Sequence, residues 1–447
     1  MNERNPSASY SLAWWSSRLR YTDIPANVSA HAKLQLLDTL GVLIAARHGA
    51  MGDAVTRILA GRIPGRGGLL ARTMIQPPFD ALYDATLSAC LDFDDTHDET
   101  LMHLSCVICP ALMSTARRVP MSGEEFLTSL AVGYEVGARV GAAAPGELHR
   151  KGFHPTGVIG AVGAAAAVAR ALDYDPLVTE HAIGLAASVG GGLLQAMVDG
   201  TDARYVNAGV AALNGITACV LAGSGMTAAG AQIDGKFGLL HSYTFDAFEP
   251  NMARITAELG SRWETLGIRP KPYPSGYVTH EFVTELLDVV HEYDLQPDEI
   301  DEIVCTLEPQ AAQLVFLPES SKLAPATSAA ARVAMPHIAA EAVVFRSIGA
   351  ESFSSGRIED PRVRLLAARV RHEFSPHVSE NRLRVMARGE NIVRKTTRRE
   401  MTVEDVVQKF MSNTAAIAAN QSRHIVDTIL TLEAASDVGS LSGISLE

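Results

Sequence analysis

Five acidic side chains, two histidines and two threonines crowd into residues 90–103 of a chain otherwise rich in alanine, glycine and leucine. Carboxylates and imidazoles at close range are the parts needed to move a proton near neutral pH. Leu82, Ala85, Ala89 and Phe93 precede or enter this stretch at helical spacing, so it begins as the end of a buried helix. Asp92 and Thr96, four apart, share one helix face there. The run to His103 then carries polar groups out of the core on a short loop. Burying such a cluster is costly unless its members are paired, and a pocket is one place where that cost is tolerated. The plain alternative is a solvated acidic loop.

Other reactive types also sit at breaks between apolar segments. His149 and His154 bracket a turn that Pro155 and its flanking glycines force before a helix at about 157–172. His97 and His241 lie in or beside similar turns. One such histidine alone is more often structural; two or three that converge suit general acid–base work. Lys271, between Arg269-Pro270 and Pro272, stands on a stiff turn near a composition shift at about residue 255. An exposed lysine is usually only solvated, but at a cleft between domains it can hold a carboxylate. Asp94-Asp95-Thr96-His97-Asp98 also matches the DDxxD pattern of helical terpenoid synthases. No second metal motif accompanies it, and 6% aromatic content is thin for a carbocation pocket.

The elements that must position these groups are mostly helical. Periodicity predicts helices at about 13–19, 31–46, 79–90, 110–118, 123–144, 157–172, 179–188, 203–222, 227–231, 281–293 and 326–348, with a Gly/Pro/Arg loop at 63–68. Strands are expected at 299–307, 363–374 and 381–386, the last hairpinned to 390–396, before helix returns over 402–432. The fold class is therefore mainly α. A large all-α domain (1–255, with 402–447 packing back onto it) precedes a smaller α+β domain (256–401).

At 447 residues with 47% hydrophobic content, the chain can bury two cores. A formal net charge of −12 argues against a nucleic-acid surface, and the basic run at 382–399 reads as a solvated strand pair. Residues 1–13 lack the apolar centre of a secretory signal, and the apolar window 205–225 reads as a core helix rather than a membrane span. Five cysteines, an odd number, fit reduced thiols in a cytoplasm. Cys106-x-x-Cys109 lacks a second pair that would complete a metal site.

Taken together, Leu91-Asp-Phe-Asp-Asp-Thr-His97, His103-x-Ser105, Gly152-Phe-His-Pro-Thr-Gly157, Lys271-Pro-Tyr-Pro274 and Thr279-His280 resemble the MmgE/PrpD family, over nearly the whole chain from Asp38-Thr-Leu-Gly41 onward. Its members include 2-methylcitrate dehydratase, cis-aconitate decarboxylase and iminodisuccinate epimerase. The resemblance implies an α+β lid over an all-α domain, a site in the cleft between them, a homodimer, and no metal or organic cofactor. It also implies a small polycarboxylate substrate, with no nucleic-acid or membrane partner. By the same resemblance Asp92, His103, His154 and Lys271 are the catalytic candidates, and Thr96, Arg204, His337 and His149 the substrate-binding ones.

Two positions depart from the family pattern. Ala203-Arg204 stands where Thr-Lys is usual, and Pro336-His337 where a tyrosine is. Arginine keeps the charge and can grip a carboxylate with two bonds, but cannot shuttle protons near neutrality. Histidine for tyrosine replaces a donor of pKa near 10 by one near 6.5. His149 lies near where some epimerase members place a tyrosine. The expected chemistry is proton removal or return next to a carboxylate. Arg204 and Lys271 would hold carboxylates, and His154 or His103, oriented by Asp92, would move the proton. A hydro-lyase is the first reading and a decarboxylase or epimerase the alternative. From another class, a catalytically idle polycarboxylate-binding protein also fits the two departures.

Overall fold

The computed structural model describes residues 7–62, 78–244, 248–375, 377 and 380–440. Its centre is the Ala/Gly/Val run. Helix α7 (Pro155–Ala171) is buried from Pro155 through Ala169, because side chains this small let neighbours close in on every side. Around it pack α5 (Ser105–Ala116), α6 (Gly123–Ala142), α8 (Pro176–Val189) and α9 (Ala203–Gly223). The approach is close: a Cβ on Gly215 of α9 would stand 2.5 Å from the Ala164 Cβ. Helices α1 (Ala8–Arg18), α2 (Ala26–Arg47), α3 (Ala50–Leu59) and α4 (Phe79–Ala89) precede this layer in sequence and pack around it.

By length and composition α9 is apolar enough to cross a membrane. Here one face is packed against α4, α7 and α8, while Val206, Val210 and Val220 stay exposed on the other.

The α+β unit has its own core. Strands β3 (Ile300–Leu307), β4 (Val370–Phe374), β5 (Arg382–Ala387) and β6 (Glu390–Lys395) form a sheet of order β4-β3-β5-β6. The β3–β4 pair is parallel, in register Ile303↔Val370, and the other pairs are antiparallel. Arg388 and Gly389, both at positive φ, make the two-residue β5–β6 turn, whose twist suits a hairpin. Helices α10 (His280–Glu292) and α11 (Met335–Phe345) pack with the sheet into one apolar cluster. Helices α12 (Val403–Asn413) and α13 (Ala419–Leu430) then return to pack on α2. A two-residue sheet, β1 (Thr96–His97) on β2 (Ile268–Arg269), ties the acidic stretch to the segment that leads to Lys271.

Several expectations change in detail. The strand expected over 363–374 divides into a helix, Pro361–Ala367, and β4, because Asp360 caps the helix and Pro361 starts it. The 326–348 helix breaks into Ser328–Ala331 and α11, restarted by Pro336. Helix α5 begins at Ser105 rather than Pro110, since the Asp95 carboxylate accepts from the Leu104 and Ser105 N–H groups. Residues 227–231 are not helical, and 402–432 holds two helices. The expected loop at 63–68 lies outside the described residues.

Candidate active site

After α4 the chain turns sharply at Asp92, whose φ of +52° is unfavourable for a residue with a Cβ and recurs at functional sites. Long cations hold this turn. Arg332 Nη1 donates to the Leu91 carbonyl (2.6 Å) and to that of Pro274 (2.9 Å), tying the turn to the lysine-bearing segment. Lys409, from α12, donates to the Phe93 carbonyl (2.9 Å), covers the Phe93 ring, and pairs with Asp38 Oδ1 at 2.7 Å.

Held so, Asp92 meets two cations. Lys271 Nζ donates to Oδ1 at 2.6 Å, because the β1–β2 pairing brings the 268–271 segment alongside. Arg204 Nη2, in the first turn of α9, donates to Oδ2 at 2.7 Å. Burial works to raise the Asp92 carboxyl pKa, but Arg204 and then Lys271 outweigh it and hold the group well below the usual range. Asp94 stands behind, 3.8 Å from both Lys271 Nζ and His103 Nδ1.

His154 is the residue on which α7 starts, and its ring centroid lies 6.2 Å from that of His103. His103 Nδ1 lies 2.5 Å from the Asp95 carbonyl oxygen and 3.3 Å from Thr96 Oγ1. His154 Nδ1 lies 3.2 Å from Asn207 Nδ2. Burial pushes the His103 pKa down and, with His103 alongside, pushes that of His154 well below its ordinary value. Both rings are therefore neutral at pH 7. Gly157 is required one turn along: a Cβ there would stand 2.3 Å from the Gly191 carbonyl and 3.1 Å from the Asn207 Cβ.

These groups surround a small cavity of about 20 Å³, lined by Asp92, Asp94, His103, His154, Arg204 and Tyr205 together with Ala89, Cys106, Thr156 and Ala208. That is room for about one water molecule between the side chains as they stand. Asp92, His103, His154 and Arg204 thus meet as anticipated. Lys271 is buried against Asp92, and Thr96 is buried beside His103. His149 lies outside the lining, close enough to His103 for their charges to interact; burial pushes its pKa down to about 4.

His337 needs correction. It is fully buried in α11, 3.4 Å from Glu341 Oε2 and 6.1 Å from the Phe353 ring, inside the core of the α+β unit rather than on the cavity. Pro336 at the helix start carries His337 inward, and Glu341 one turn later supplies its partner. The orienting role anticipated for Asp92 also shifts, because both its oxygens face cations and backbone oxygen of Asp95 faces His103. Sequence reasoning passed over Asp94, Asn207, Tyr205 and Arg332. Asn207 had a legible signal: an amide one turn from Arg204 within an apolar helix. Among the described residues, no group of three or more His, Cys, Asp or Glu is placed to hold a metal ion.

A helical domain and an α+β unit thus together bury an Asp–Arg–Lys cluster beside two neutral histidines, an arrangement able to hold a carboxylate and move a proton. Models of the MmgE/PrpD N-terminal and C-terminal domains match residues 10–251 and 273–434, and the chain belongs to the MmgE/PrpD family. It is 25% identical over 472 residues to the cis-aconitate decarboxylase-like protein oryM of Aspergillus oryzae, covering 96% of this chain and 95% of the relative. It is also 25% identical to a cis-aconitate decarboxylase of Aspergillus terreus (96% and 94% covered) and 27% identical to that of Homo sapiens (68% and 62%).

Proposed function

We propose that this chain is a cofactor-independent lyase for a small polycarboxylate, working through a carbanion next to a carboxylate, and that the bond it breaks releases carbon dioxide. The observation that carries the reading is the pair of cations sharing one carboxylate beside two neutral histidines. Arg204 has five N–H donors and shares them with Asp92 and Tyr205, which leaves donors over for a substrate carboxylate. Lys271 and Arg204 together stabilise the enolate-like charge as it develops.

With a cis-aconitate-like substrate the electrons balance simply. The bond to the departing carboxylate breaks, and its pair becomes a new C=C bond. The old C=C pair takes a proton from a histidine that has first been protonated by solvent, CO2 leaves, and the histidine returns to its neutral form. Release of CO2 is preferred to release of water, the first expectation from sequence, because the full-length relatives are named as decarboxylases. Dehydration remains the second reading, since a base and a donor also face each other across the cavity. An epimerase ranks third.

The proposal extends to a cytoplasmic homodimer. The face of α9 with exposed Val206, Val210 and Val220 continues into exposed Leu193 and Val198, an apolar surface suited to a second copy. Light scattering should give twice 47.6 kDa; a monomer overturns the extension.

The activity test is proton NMR in heavy water with cis-aconitate, 2-methylcitrate, citrate and iminodisuccinate. A vinylidene signal with one deuterium incorporated from cis-aconitate, lost in Lys271→Ala and His103→Ala, is expected. Turnover of 2-methylcitrate with no CO2 release would move the assignment to dehydratase. No turnover or exchange of any compound would overturn the lyase reading in favour of a binding protein.

A further inference from the structure

The two histidines facing the cavity are chemically equivalent in sequence, yet their outer nitrogens meet opposite partners. His103 Nδ1 faces a backbone carbonyl, that of Asp95, at 2.5 Å. A carbonyl can only accept, so His103 carries its proton on Nδ1 and keeps a lone pair on Nε2. His154 Nδ1 instead faces an amide nitrogen, Asn207 Nδ2, at 3.2 Å. That amine can only donate, so His154 Nδ1 is the acceptor and the proton sits on Nε2.

The amide orientation is itself constrained. Asn207 Nδ2 also lies 3.5 Å from the Leu193 carbonyl oxygen. Rotating the amide would put its oxygen against that carbonyl, lone pair to lone pair. The surroundings are shaped for this contact. His154 N–H donates to the Gly192 carbonyl, and a Cβ on Gly192 would stand 3.0 Å from Asn207 Cγ and 3.3 Å from the His154 Cβ. Gly192, at φ +153°, lets the two side chains meet.

We propose that Asn207 is the positioning residue that locks His154 as a neutral Nε2–H donor, leaving His103 as the proton carrier of the pair. Protonating His154 at Nδ1 would set a ring N–H against an amide N–H, so the imidazolium form is excluded while the contact lasts. His103 meets no such obstacle: its Nδ1–H bond to Asp95 survives in both the neutral and the cationic ring. In the reaction, which rests on the lyase reading above, His103 Nε2 therefore first takes a proton from solvent, giving the cationic ring, and then gives that proton to carbon and returns to the neutral Nδ1–H form. His154 donates a hydrogen bond to the substrate and is never ionised. A neutral histidine can stabilise developing negative charge in this way.

The test reads the resting protein first. In protein labelled with 15N-histidine, with His103→Gln and His154→Gln variants for assignment, we expect His154 Nδ1 to be pyridine-like and Nε2 pyrrole-like, and His103 the reverse. Asn207→Asp replaces the donor by an acceptor, so the His154 pattern should invert. The other charged or titratable groups acting on His154 are His103, His149, Arg204 and Asp92. With those unchanged, the variant's kcat/KM for cis-aconitate should fall 10- to 100-fold, with a new ionisation appearing in its pH profile. A proton on His154 Nδ1 in the parent, or an unaltered pattern and pH profile in Asn207→Asp, overturns the proposal. The tautomers are read without substrate, so an inactive protein with the expected pattern would count against the lyase reading alone.

Discussion

Two lysine–aspartate pairs lie one layer apart, and only one of them faces the cavity. Lys271 meets Asp92 at 2.6 Å and Lys409 meets Asp38 at 2.7 Å, all four side chains buried. Their distances hardly differ; their company does. Asp92 has a second cation, Arg204, and its carboxyl is held well below the usual range against the pull of burial. Asp38 has Lys409 alone, and burial dominates: it raises the Asp38 pKa and lowers that of Lys409. One carboxylate shared by two cations leaves donors over for an anionic ligand. The one-to-one pair has no second cation, and Lys409 gives a further N–H to backbone, the Phe93 carbonyl, as Lys271 does to the Asp92 carbonyl. The first arrangement can bind an anion; the second holds the loop on which the first is built.

The largest effect should come from Lys271→Ala. Asp92 keeps Arg204, so folding survives, while kcat/KM should fall at least 1,000-fold, roughly 4 kcal/mol of transition-state stabilisation. Steady-state kinetics beside urea unfolding would separate the two. A loss of stability as large as the loss of rate would erase the distinction between the pairs.

Lys409→Met should invert that outcome. It strands the Asp38 carboxylate without its cation and should cost roughly 3 kcal/mol of stability, with KM nearly unchanged in the folded fraction. Adding Asp38→Leu removes the stranded charge and should recover most of that loss. If the double variant is no more stable than Lys409→Met, the pair is not the compact two-member unit described here.

Part of the cavity was legible because Asp92, His103 and His154 are polar groups that interrupt apolar helices or stand at their ends, while Arg204 came only from the family resemblance. The mainly α class with a smaller α+β part followed from the change of period along the chain. What stayed hidden depends on distant chain segments. Asn207 meets His154 from 53 residues away, Arg332 meets Leu91 from 241, and Lys409 meets Phe93 from 316. No local pattern encodes such meetings. His337 failed for the converse reason. Its position was transferred from a motif, while its own neighbours, Pro336 and Glu341, direct it into a core. The Asp360-Pro361 helix start was a readable signal overridden by β-prone neighbours.

A smaller effect probes a third way of burying a titratable group, without any charge partner. His149 Nδ1 is buried and has no hydrogen-bond partner among the described residues, and burial sets its pKa at about 4. An unfolded histidine titrates near 6.5, so between those values the unfolded chain binds more protons than the folded one. The stabilising contribution of the neutral ring is thus complete above pH 6.5 and is lost as pH falls toward 4. From pH 7 to pH 5 that amounts to about 2 kcal/mol. Asp95, whose carboxyl burial pushes up to about 7, acts with the opposite sign over much of the same range, and His280, at about 3, with the same sign. Comparison of His149→Phe with the parent cancels both. Urea unfolding at the two pH values should show a distinctly shallower acid loss in the variant. An identical slope would mean that the ring finds water or a partner on protonation, and that the cavity's polar surroundings extend one residue further than the two lysine pairs indicate.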